Sequence, residues 1–200
     1  MAAVAAEVFF RRLSRWQADQ QRESIADLYE LTYRESSLTP RRSNPYEPVP
    51  APDSSFHDRA AFLARFAAAV QRPGFDLLIA STPTTLVGCV YGYLPDRQGS
   101  WWYGRHDIAP PEIGQLADSG RVFNIADLMV APTHRRQKVA ERLQERLLVR
   151  VDAELVTTLI EPANSAAKAA YEAWHWSRTG RIAAANGRPE LEVWTRIPPG

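Results

Sequence analysis

One segment of the chain combines a strand, a tight polar turn and an amphipathic helix in an order that could bind an anion. The strand ends at Pro132, and the helix begins near Lys138. The first N–H groups of a helix have no partner within it and carry the positive end of the helix dipole, so they attract phosphate and carboxylate groups. Arg135 and Arg136 add positive charge at that point. Taken alone, the turn is also typical of an ordinary basic, solvated helix start.

The elements that must position this turn are predicted from periodicity and turn residues. Strands are expected over 7–13, 75–80, 86–93, 122–131, 155–160, 177–184 and 191–197, with the second and third forming a hairpin. Helices are expected over 17–36, from a cap at Ser54 or Ser55 to Val70, over 138–154 and over 164–175. Two long loops, 39–54 and 95–120, separate them. This order predicts a single α/β domain over 1–200, a mixed α+β sheet flanked by helices.

A second segment follows the next strand and changes the interpretation of the turn. Asn164, Ala167 and Tyr171 share one side of a predicted alanine-rich helix. Together, the two segments resemble the signatures of the GNAT superfamily, the GCN5-related N-acetyltransferases. The second segment is similar to that family's Asn-x-x-Ala…Tyr helix. The first is similar to its phosphate-binding signature Arg/Gln-x-x-Gly-x-Gly/Ala, at positions occupied here by Arg135, Lys138 and Ala140.

The resemblance spans nearly the whole chain and implies both a fold and an activity. It implies a central, mostly antiparallel, twisted sheet in which the fourth and fifth strands splay apart. It also implies an N-acyltransferase, which takes an acetyl or other acyl group from acetyl-CoA or another acyl-CoA and gives it to the amine of a small molecule. In this family the pantetheine arm of coenzyme A lies in the gap between the splayed strands, against exposed backbone.

The residues that match the family motifs would then have distinct roles. Backbone at the end of the fourth strand would polarise the thioester carbonyl. Asn164 would hydrogen-bond the pantetheine arm. Tyr171 would act as general acid, because a phenol with a pKa of about 10 is protonated at neutral pH; a core aromatic residue is the alternative. The donor would be held by the strand end, the turn and the helix start, which comprise Leu128, Met129, Val130, Arg135, Arg136, Gln137, Lys138, Val139 and Ala140.

Two positions depart from the family pattern. Lys138 replaces the first glycine of the signature, whose missing side chain lets the backbone approach phosphate oxygens closely. His175 replaces a helix-ending glycine, which often takes a positive φ. A lysine could crowd a pyrophosphate or add charge to it, so an acyl carrier protein, whose phosphopantetheine lacks the nucleotide, is an alternative donor. A non-catalytic protein of the same fold that only binds acyl-CoA is a further alternative, and so is a catalytic relative that acylates a protein or a tRNA-borne group instead of a small amine.

The general base for the acceptor amine is not evident from the sequence. Family bases often project from the fourth strand on the face of Asn124 and Ala126, and neither side chain can serve. Strict alternation puts Asp127 on the opposite face, where a structural role is expected. A water relay is one alternative. The side-chain candidates lie in the second long loop and are His106, Asp107 and Glu112.

Acceptor contacts are expected from Asn124 and from three adjacent aromatic residues of the second long loop. These aromatic residues are Trp101, Trp102 and Tyr103. Large aromatic side chains are costly to leave in water, so they either cap the core or line a pocket. An aromatic wall would suit a flat or apolar acceptor.

Composition narrows the classes of function. Formal net charge is +1, so no global field favours nucleic acid or an anionic membrane. The four histidines lack metal-ligand spacing, which predicts that no metal is bound. The single cysteine, Cys89, lies in an apolar run and is expected in the core. No apolar stretch of the sequence is long enough to span a membrane. These features favour a cytoplasmic monomer or homodimer.

Overall fold

Most of the predicted strands and helices are present in the computed structural model, which describes residues 7–37, 58–95, 111–182 and 190–198. The strands are β1 (Phe9–Leu13), β2 (Asp76–Ser81), β3 (Leu86–Tyr93), β4 (Val122–Val130), β5 (Leu155–Ile160), β6 (Ser177–Ile182) and β7 (Leu191–Arg196). The helices are α1 (Arg15–Gln20), α2 (Arg22–Ser37), α3 (Arg59–Val70), α4 (Pro111–Asp118), α5 (Val139–Leu148) and α6 (Ser165–Ala173). None of these helices is long and apolar enough to cross a membrane.

The described strands form one seven-stranded sheet in the order β1-β2-β3-β4-β5-β7-β6. Neighbouring strands are antiparallel except β4 and β5, which run parallel and are connected through α5. The hairpin predicted for β2 and β3 is present. The expected mixed, mostly antiparallel sheet flanked by helices is confirmed.

Helices cover both faces of this sheet. On one face, Tyr91 of β3 meets Phe66 of α3 edge-on, with ring centroids 5.1 Å apart. On the other face, a Cβ added to Gly88 of β3 would meet Leu143 of α5. Because successive strand residues point to opposite faces, α3 and α5 lie on opposite sides of the sheet. Cys89 is fully buried in the core, as predicted, and burial raises the pKa of its thiol.

The helices of the N-terminal half begin at other residues than predicted. The helix expected over 17–36 is divided, since α1 ends at Gln20 and α2 begins at Arg22. The cap of α3 is Asp58, whose carboxylate accepts hydrogen bonds from the N–H groups of Ala60 and Ala61. The expectation of a serine cap at 54 or 55 was wrong because an aspartate closer to the apolar stripe satisfies the same donors.

The end of the second predicted loop is helical, which corrects the expectation of an irregular stretch over 95–120. Pro111 is the first residue of α4, where a missing N–H costs nothing. Ile113 and Ala117, one turn apart, are buried in a small apolar cluster with Val122, Ile182 and Val193. The apolar stripe of this helix is too short to be distinguished from a loop by periodicity.

A buried carboxylate on β7 interacts with a lysine of α6. Glu192 of β7 is only 6% exposed. Arg178 and the indole of Trp194 each donate a hydrogen bond to it at 3.2 Å. Lys168 of α6 lies 3.6 Å from the same carboxylate and donates to the carbonyl oxygen of Pro162 at 2.7 Å. Burial raises the pKa of Glu192, but these partners outweigh it and leave the pKa lowered.

A β-bulge interrupts the pairing of β3 with β4. Tyr91 pairs with Asp127 and Gly92 pairs with Ile125, so Ala126 is an extra residue on β4. A Cβ added to Gly92 would lie 2.4 Å from a backbone carbonyl oxygen of β4. The two strands can approach this closely only because Gly92 has no side chain.

We expect Gly92→Ala to lower the free energy of unfolding by about 1–3 kcal/mol, since the added methyl group meets rigid backbone. Gly88→Ala is the matched control and should lose less, because its shortest contact, 2.9 Å, is to the flexible end of the Leu143 side chain. Chemical denaturation of both variants measures the difference. Equal losses would contradict the close approach at the bulge.

Candidate functional site

The strands β4 and β5 separate after a short paired stretch. Their ladder joins residues 122–125 to residues 155–158. Both strands then continue, β4 to Val130 and β5 to Ile160. Among the described strands, none pairs with this edge of β4 beyond Ile125. The splayed pair that the resemblance implies is therefore present.

The gap between these strands opens into a cavity of about 480 Å³. Its walls come from α2, from α3 and the turn after it, from the ends of β3 and β5, from the middle of β4 and from α6. No group of three or more His, Cys, Asp or Glu side chains in the described ranges could hold a metal ion. Phenols and charged groups are prominent in the lining, and they belong to Tyr29, Tyr33, Tyr91, Tyr93, Tyr171, Arg65, Arg72, Asp127 and Glu161.

Asp127 lies in this cavity, contrary to the prediction from alternation. Alternation put it on the face opposite Asn124, but the extra residue Ala126 breaks the alternation, and all three residues line the same cavity. The Tyr91 hydroxyl donates a hydrogen bond to the Asp127 carboxylate. Burial first, and then the charge of this carboxylate, raise the pKa of Tyr91 well above its usual value. The bulge thus brings a carboxylate into the site.

Tyr171 of α6 lies beside the point where β4 and β5 part. It is 6% exposed, and its ring meets Trp176 edge-on with centroids 5.0 Å apart. Thr158, the last residue of β5 that pairs with β4, donates to the carbonyl oxygen of Ile125 at 3.1 Å. Burial raises the pKa of the Tyr171 phenol, and the Thr158 hydroxyl opposes this only in part. The phenol is therefore neutral throughout the physiological pH range.

The two asparagines predicted as site residues, Asn124 and Asn164, also form hydrogen bonds within the protein. Asn124 is buried, and its side-chain oxygen accepts a hydrogen bond from Thr157 at 3.2 Å. Asn164 is the N-cap of α6, and its side-chain oxygen accepts from the N–H of Ala167 at 3.0 Å. Both bonds use only the carbonyl oxygen of the carboxamide, and its two N–H donors take no part in them. Both residues line the cavity.

The turn before α5 has the backbone conformation that suits an anion. Arg136 and Lys138 both have a φ of 59°, in the left-handed region that favours glycine. Lys138 thus adopts a backbone conformation that is typical of glycine, the residue that the family signature has at this position. Its side chain is exposed. Turns that include left-handed residues aim successive N–H groups at one point, where an anion can bind.

Two polar side chains of this turn form hydrogen bonds to backbone carbonyl oxygens of the protein. Arg135 donates to the carbonyl oxygen of Thr32 in α2 at 2.9 Å. Gln137 donates to a carbonyl oxygen of the turn itself at 3.1 Å. Arg135 keeps its charge in this bond, so it contributes positive charge beside the helix start together with the exposed side chains of Arg136 and Lys138. The bond made by Arg135 joins the turn to α2, which forms one wall of the cavity.

Only some of the remaining residues that were predicted to bind substrates line the cavity. Leu128 lines the cavity, whereas Met129 and Val130 are buried in the sheet and do not line it. At the start of α5, Val139 is buried and Ala140 half-buried. The predictions for the second long loop lie outside the described residues, and they concern Trp101, Trp102, Tyr103, His106, Asp107 and the side chain of Glu112.

Two arginines of the cavity wall are functional candidates that the sequence alone did not indicate. Arg65 lies in α3 with Ala68 and Ala69, and Arg72 lies two residues beyond the end of that helix; all four line the cavity. Arg65 donates to the Tyr29 hydroxyl at 3.0 Å. The apolar stripe of α3 marks only its core face. The signal for the cavity wall is Arg65 beside the small residues Ala68 and Ala69 on the helix face away from that stripe.

Comparison with known proteins gives one family and one fold. The sequence model of the Acetyltransferase (GNAT) family matches residues 23–176. No curated protein matches the sequence. A similar solved structure is an acetyltransferase from Thermus thermophilus, with 11% identity, 95% of this chain and 96% of that chain covered, and a TM-score of 0.57.

Two further similar structures contain a bound coenzyme. The PaiA N-acetyltransferase of Thermoplasma acidophilum, in complex with coenzyme A, has 10% identity, coverages of 96% of this chain and 99% of that chain, and a TM-score of 0.57. YncA of Salmonella typhimurium, with its cofactor acetyl-CoA, has 14% identity, coverages of 95% and 93%, and a TM-score of 0.55. At these identities the likeness establishes the fold.

We expect Lys138→Gly to raise the free energy of unfolding by up to about 1.5 kcal/mol. Relief of a left-handed conformation contributes about 1–2 kcal/mol, and the greater freedom of glycine in the unfolded chain offsets about 0.5–1 kcal/mol of this. Gln137→Gly is the matched control and should lower stability, because the φ of Gln137 is not positive. Chemical unfolding measures both. A loss of stability in Lys138→Gly would contradict the strained turn.

Proposed function

Because the chain belongs to the GNAT acetyltransferase family, we propose that it moves an acyl group from a coenzyme A-type thioester, with acetyl-CoA favoured, to an amine. The observation that carries this proposal is the meeting of two features in one cavity. One is the gap between β4 and β5, which suits a slender acyl-pantetheine arm. The other is a wall with a carboxylate and several phenols, which suits an amine that must lose a proton.

We expect the donor to lie along the splayed edge of β4 and at the turn before α5. The N–H and C=O groups on this edge have no strand partner beyond Ile125 among the described residues, so they can bond to the amides of a pantetheine arm. The N–H groups from Arg136 to Ala140 suit a pyrophosphate, because they combine a left-handed turn with a helix start. Asn164 can donate to the arm from its carboxamide. The bound thioester supplies the acyl group and a thiolate leaving group.

We assign removal of the acceptor's proton to Asp127. An alkylammonium group with a pKa of about 10.4 must lose a proton before its nitrogen can attack. Tyr91 orients the carboxylate of Asp127, and a carboxylate has about four acceptor positions, so it can also take a proton from a substrate or a bridging water. Among the described residues, Glu161, directly after β5, is the other carboxylate that lines the cavity. Asp127 is favoured because it projects from β4, whose edge would hold the thioester.

We assign protonation of the leaving group to Tyr171. When the amine nitrogen forms a bond to the acyl carbon, the carbon–sulfur bond breaks and its electron pair stays on sulfur. A neutral phenol beside the gap can donate its proton to that sulfur. Burial also raises the pKa of a thiol in the same surroundings. The phenol and the thiol are therefore shifted in the same direction, so burial does not by itself widen the gap between their pKa values.

The left-handed turn favours free coenzyme A over an acyl carrier protein as the donor. The case for a carrier protein depends on crowding of a pyrophosphate by Lys138. Because Lys138 has a positive φ and an exposed side chain, the backbone of the turn can still approach a pyrophosphate as closely as it could with glycine. The orientation of Asp127 by Tyr91 and the neutral phenol of Tyr171 favour catalysis over binding alone.

Thiol release from acetyl-CoA with a panel of amines tests the proposed reaction. The protein should release thiol faster with an amine present than without one, and faster than from an acylated carrier protein. Tyr171→Phe should lower kcat by about 10²–10⁴-fold, because it removes the proton donor. Calorimetry should show that this variant still binds coenzyme A. Absence of both binding and amine-dependent thiol release in the unmodified protein would overturn the proposal.

We expect Asp127→Asn to lower kcat/KM at pH 7 by about 10²–10⁴-fold. Its residual activity should rise about tenfold per pH unit up to the pKa of the amine, because the neutral fraction of the acceptor grows in that way. Initial rates between pH 6 and pH 10 measure both effects. Glu161→Gln is the matched control and should cost much less. An equal or larger loss in Glu161→Gln would assign the base to the end of β5 instead.

A further inference from the structure

The end of α6 holds Tyr171 through the backbone. The N–H of Trp176 donates to the carbonyl oxygen of Tyr171 at 3.0 Å, and the N–H of His175 donates to the carbonyl oxygen of Glu172 at 3.0 Å. His175 has a φ of 63°. Two such bonds around a left-handed residue form a Schellman motif, in which the residue after the left-handed one often packs on the residue five positions before it. Here those two residues are Trp176 and Tyr171, the proposed proton donor.

The indole of Trp176 is held in turn by a glutamine of α5, and both side chains are buried. The indole Nε1–H donates to Oε1 of Gln144 at 3.0 Å. The rings of Trp176 and Tyr171 meet edge-on, with centroids 5.0 Å apart. The hydrogen bond from Gln144 therefore fixes the orientation of the ring against which Tyr171 packs.

Gln144 is an unexpected residue for the core face of a helix. The other buried residues of α5 are apolar, namely Val139, Leu143, Leu147 and Leu148. Within the described residues, no group accepts a hydrogen bond from Nε2 of Gln144, although this nitrogen is buried. A buried donor without a partner costs free energy, and such groups are uncommon in native proteins. The amide is therefore better explained by the indole that its oxygen binds than by stability.

Gln144 belongs to the helix that begins at the proposed donor site. It lies five residues after Val139, the first residue of α5, which is about 7–8 Å along the helix. The thioester sulfur belongs to the donor, whereas its proton would come from Tyr171 on α6. A link between α5 and α6 therefore helps to set the distance from the sulfur to the phenol. Misplacement of reacting groups by about 1 Å can slow a reaction about 100-fold.

We propose that Gln144 and Trp176 are positioning residues that hold the Tyr171 phenol at the sulfur of the bound thioester. This inference rests on the proposed acyl transfer and on the role of Tyr171 in it. Neither Gln144 nor Trp176 lines the cavity. Breaking the bond between them should therefore slow the transfer of the proton without weakening the binding of the donor.

Variants that break this bond from either side test the proposal. Gln144→Met removes the acceptor, and Trp176→Phe removes the donor. With acetyl-CoA and the most reactive amine, each should lower kcat by about 10–100-fold and change KM for acetyl-CoA by less than about twofold. Both changes together should cost no more than the larger single loss, because they break the same bond. Gln115→Met, which removes an exposed amide of α4, is the matched control and should keep the full kcat.

The Tyr171→Phe background separates positioning from a general effect on the fold. Where the phenol is already removed, Gln144→Met should lower kcat further by less than about twofold. The denaturation midpoint of Gln144→Met should stay close to that of the unmodified protein, because this change also removes the Nε2 that has no partner in the described part of the chain. If Gln144→Met does not fold by circular dichroism, Trp176→Phe takes its place in this comparison.

Two results would overturn the positioning role and leave the acyl transfer intact. One is an unchanged kcat in both single variants, and the other is a full further loss of kcat in the Tyr171→Phe background. An unchanged kcat in Tyr171→Phe itself would overturn both the role of this phenol and its positioning. Absence of amine-dependent thiol release by the unmodified protein would overturn the acyl transfer itself.

Discussion

The loss of pairing between β4 and β5 is the constraint on which the site depends. Backbone N–H and C=O groups inside a protein need partners, and in a parallel pair the neighbouring strand supplies them. Here the ladder stops at Ile125 and Thr158, just where the extra residue Ala126 bends β4. The edge of β4 is left to water or to a ligand with amide groups of its own. An acyl-pantetheine arm has that chemistry.

The close approach at Gly92 links the donor and acceptor parts of the site. The bulge that it permits bends β4 at the gap and also brings Asp127 into the cavity. Around that carboxylate the phenols are kept neutral. Burial raises the pKa of Tyr29 to about 12, with Asp127 adding to the effect, and those of Tyr91 and Tyr171 are raised for the same two reasons. Near neutral pH, these phenols can therefore donate protons but do not add charge.

How much could be predicted depends on whether a feature is local in sequence. The hairpin, the turn before α5 and the helix with Asn164 and Tyr171 follow from alternation, helical spacing and turn residues, and all are present. The position of Asp127 could not be predicted, because one extra residue reverses the face to which later residues of a strand point. The place of Arg72 in the cavity wall could not be predicted, because the strands β3 and β4 that line the same cavity come later in the chain. Residue types indicate the kind of chemistry, whereas non-local contacts decide which residues meet.

The hydrogen bond from Arg135 to the carbonyl oxygen of Thr32 has a thermodynamic consequence. This bond connects the turn that would bind the donor's phosphates to α2, which forms part of the cavity wall near the proposed acceptor position. If filling the turn stabilises this bond, α2 is held more firmly and the acceptor binds more tightly. Linkage then requires the acceptor to tighten donor binding by the same factor. The binding of the donor and the binding of the acceptor would in this way be coupled through the guanidinium of Arg135.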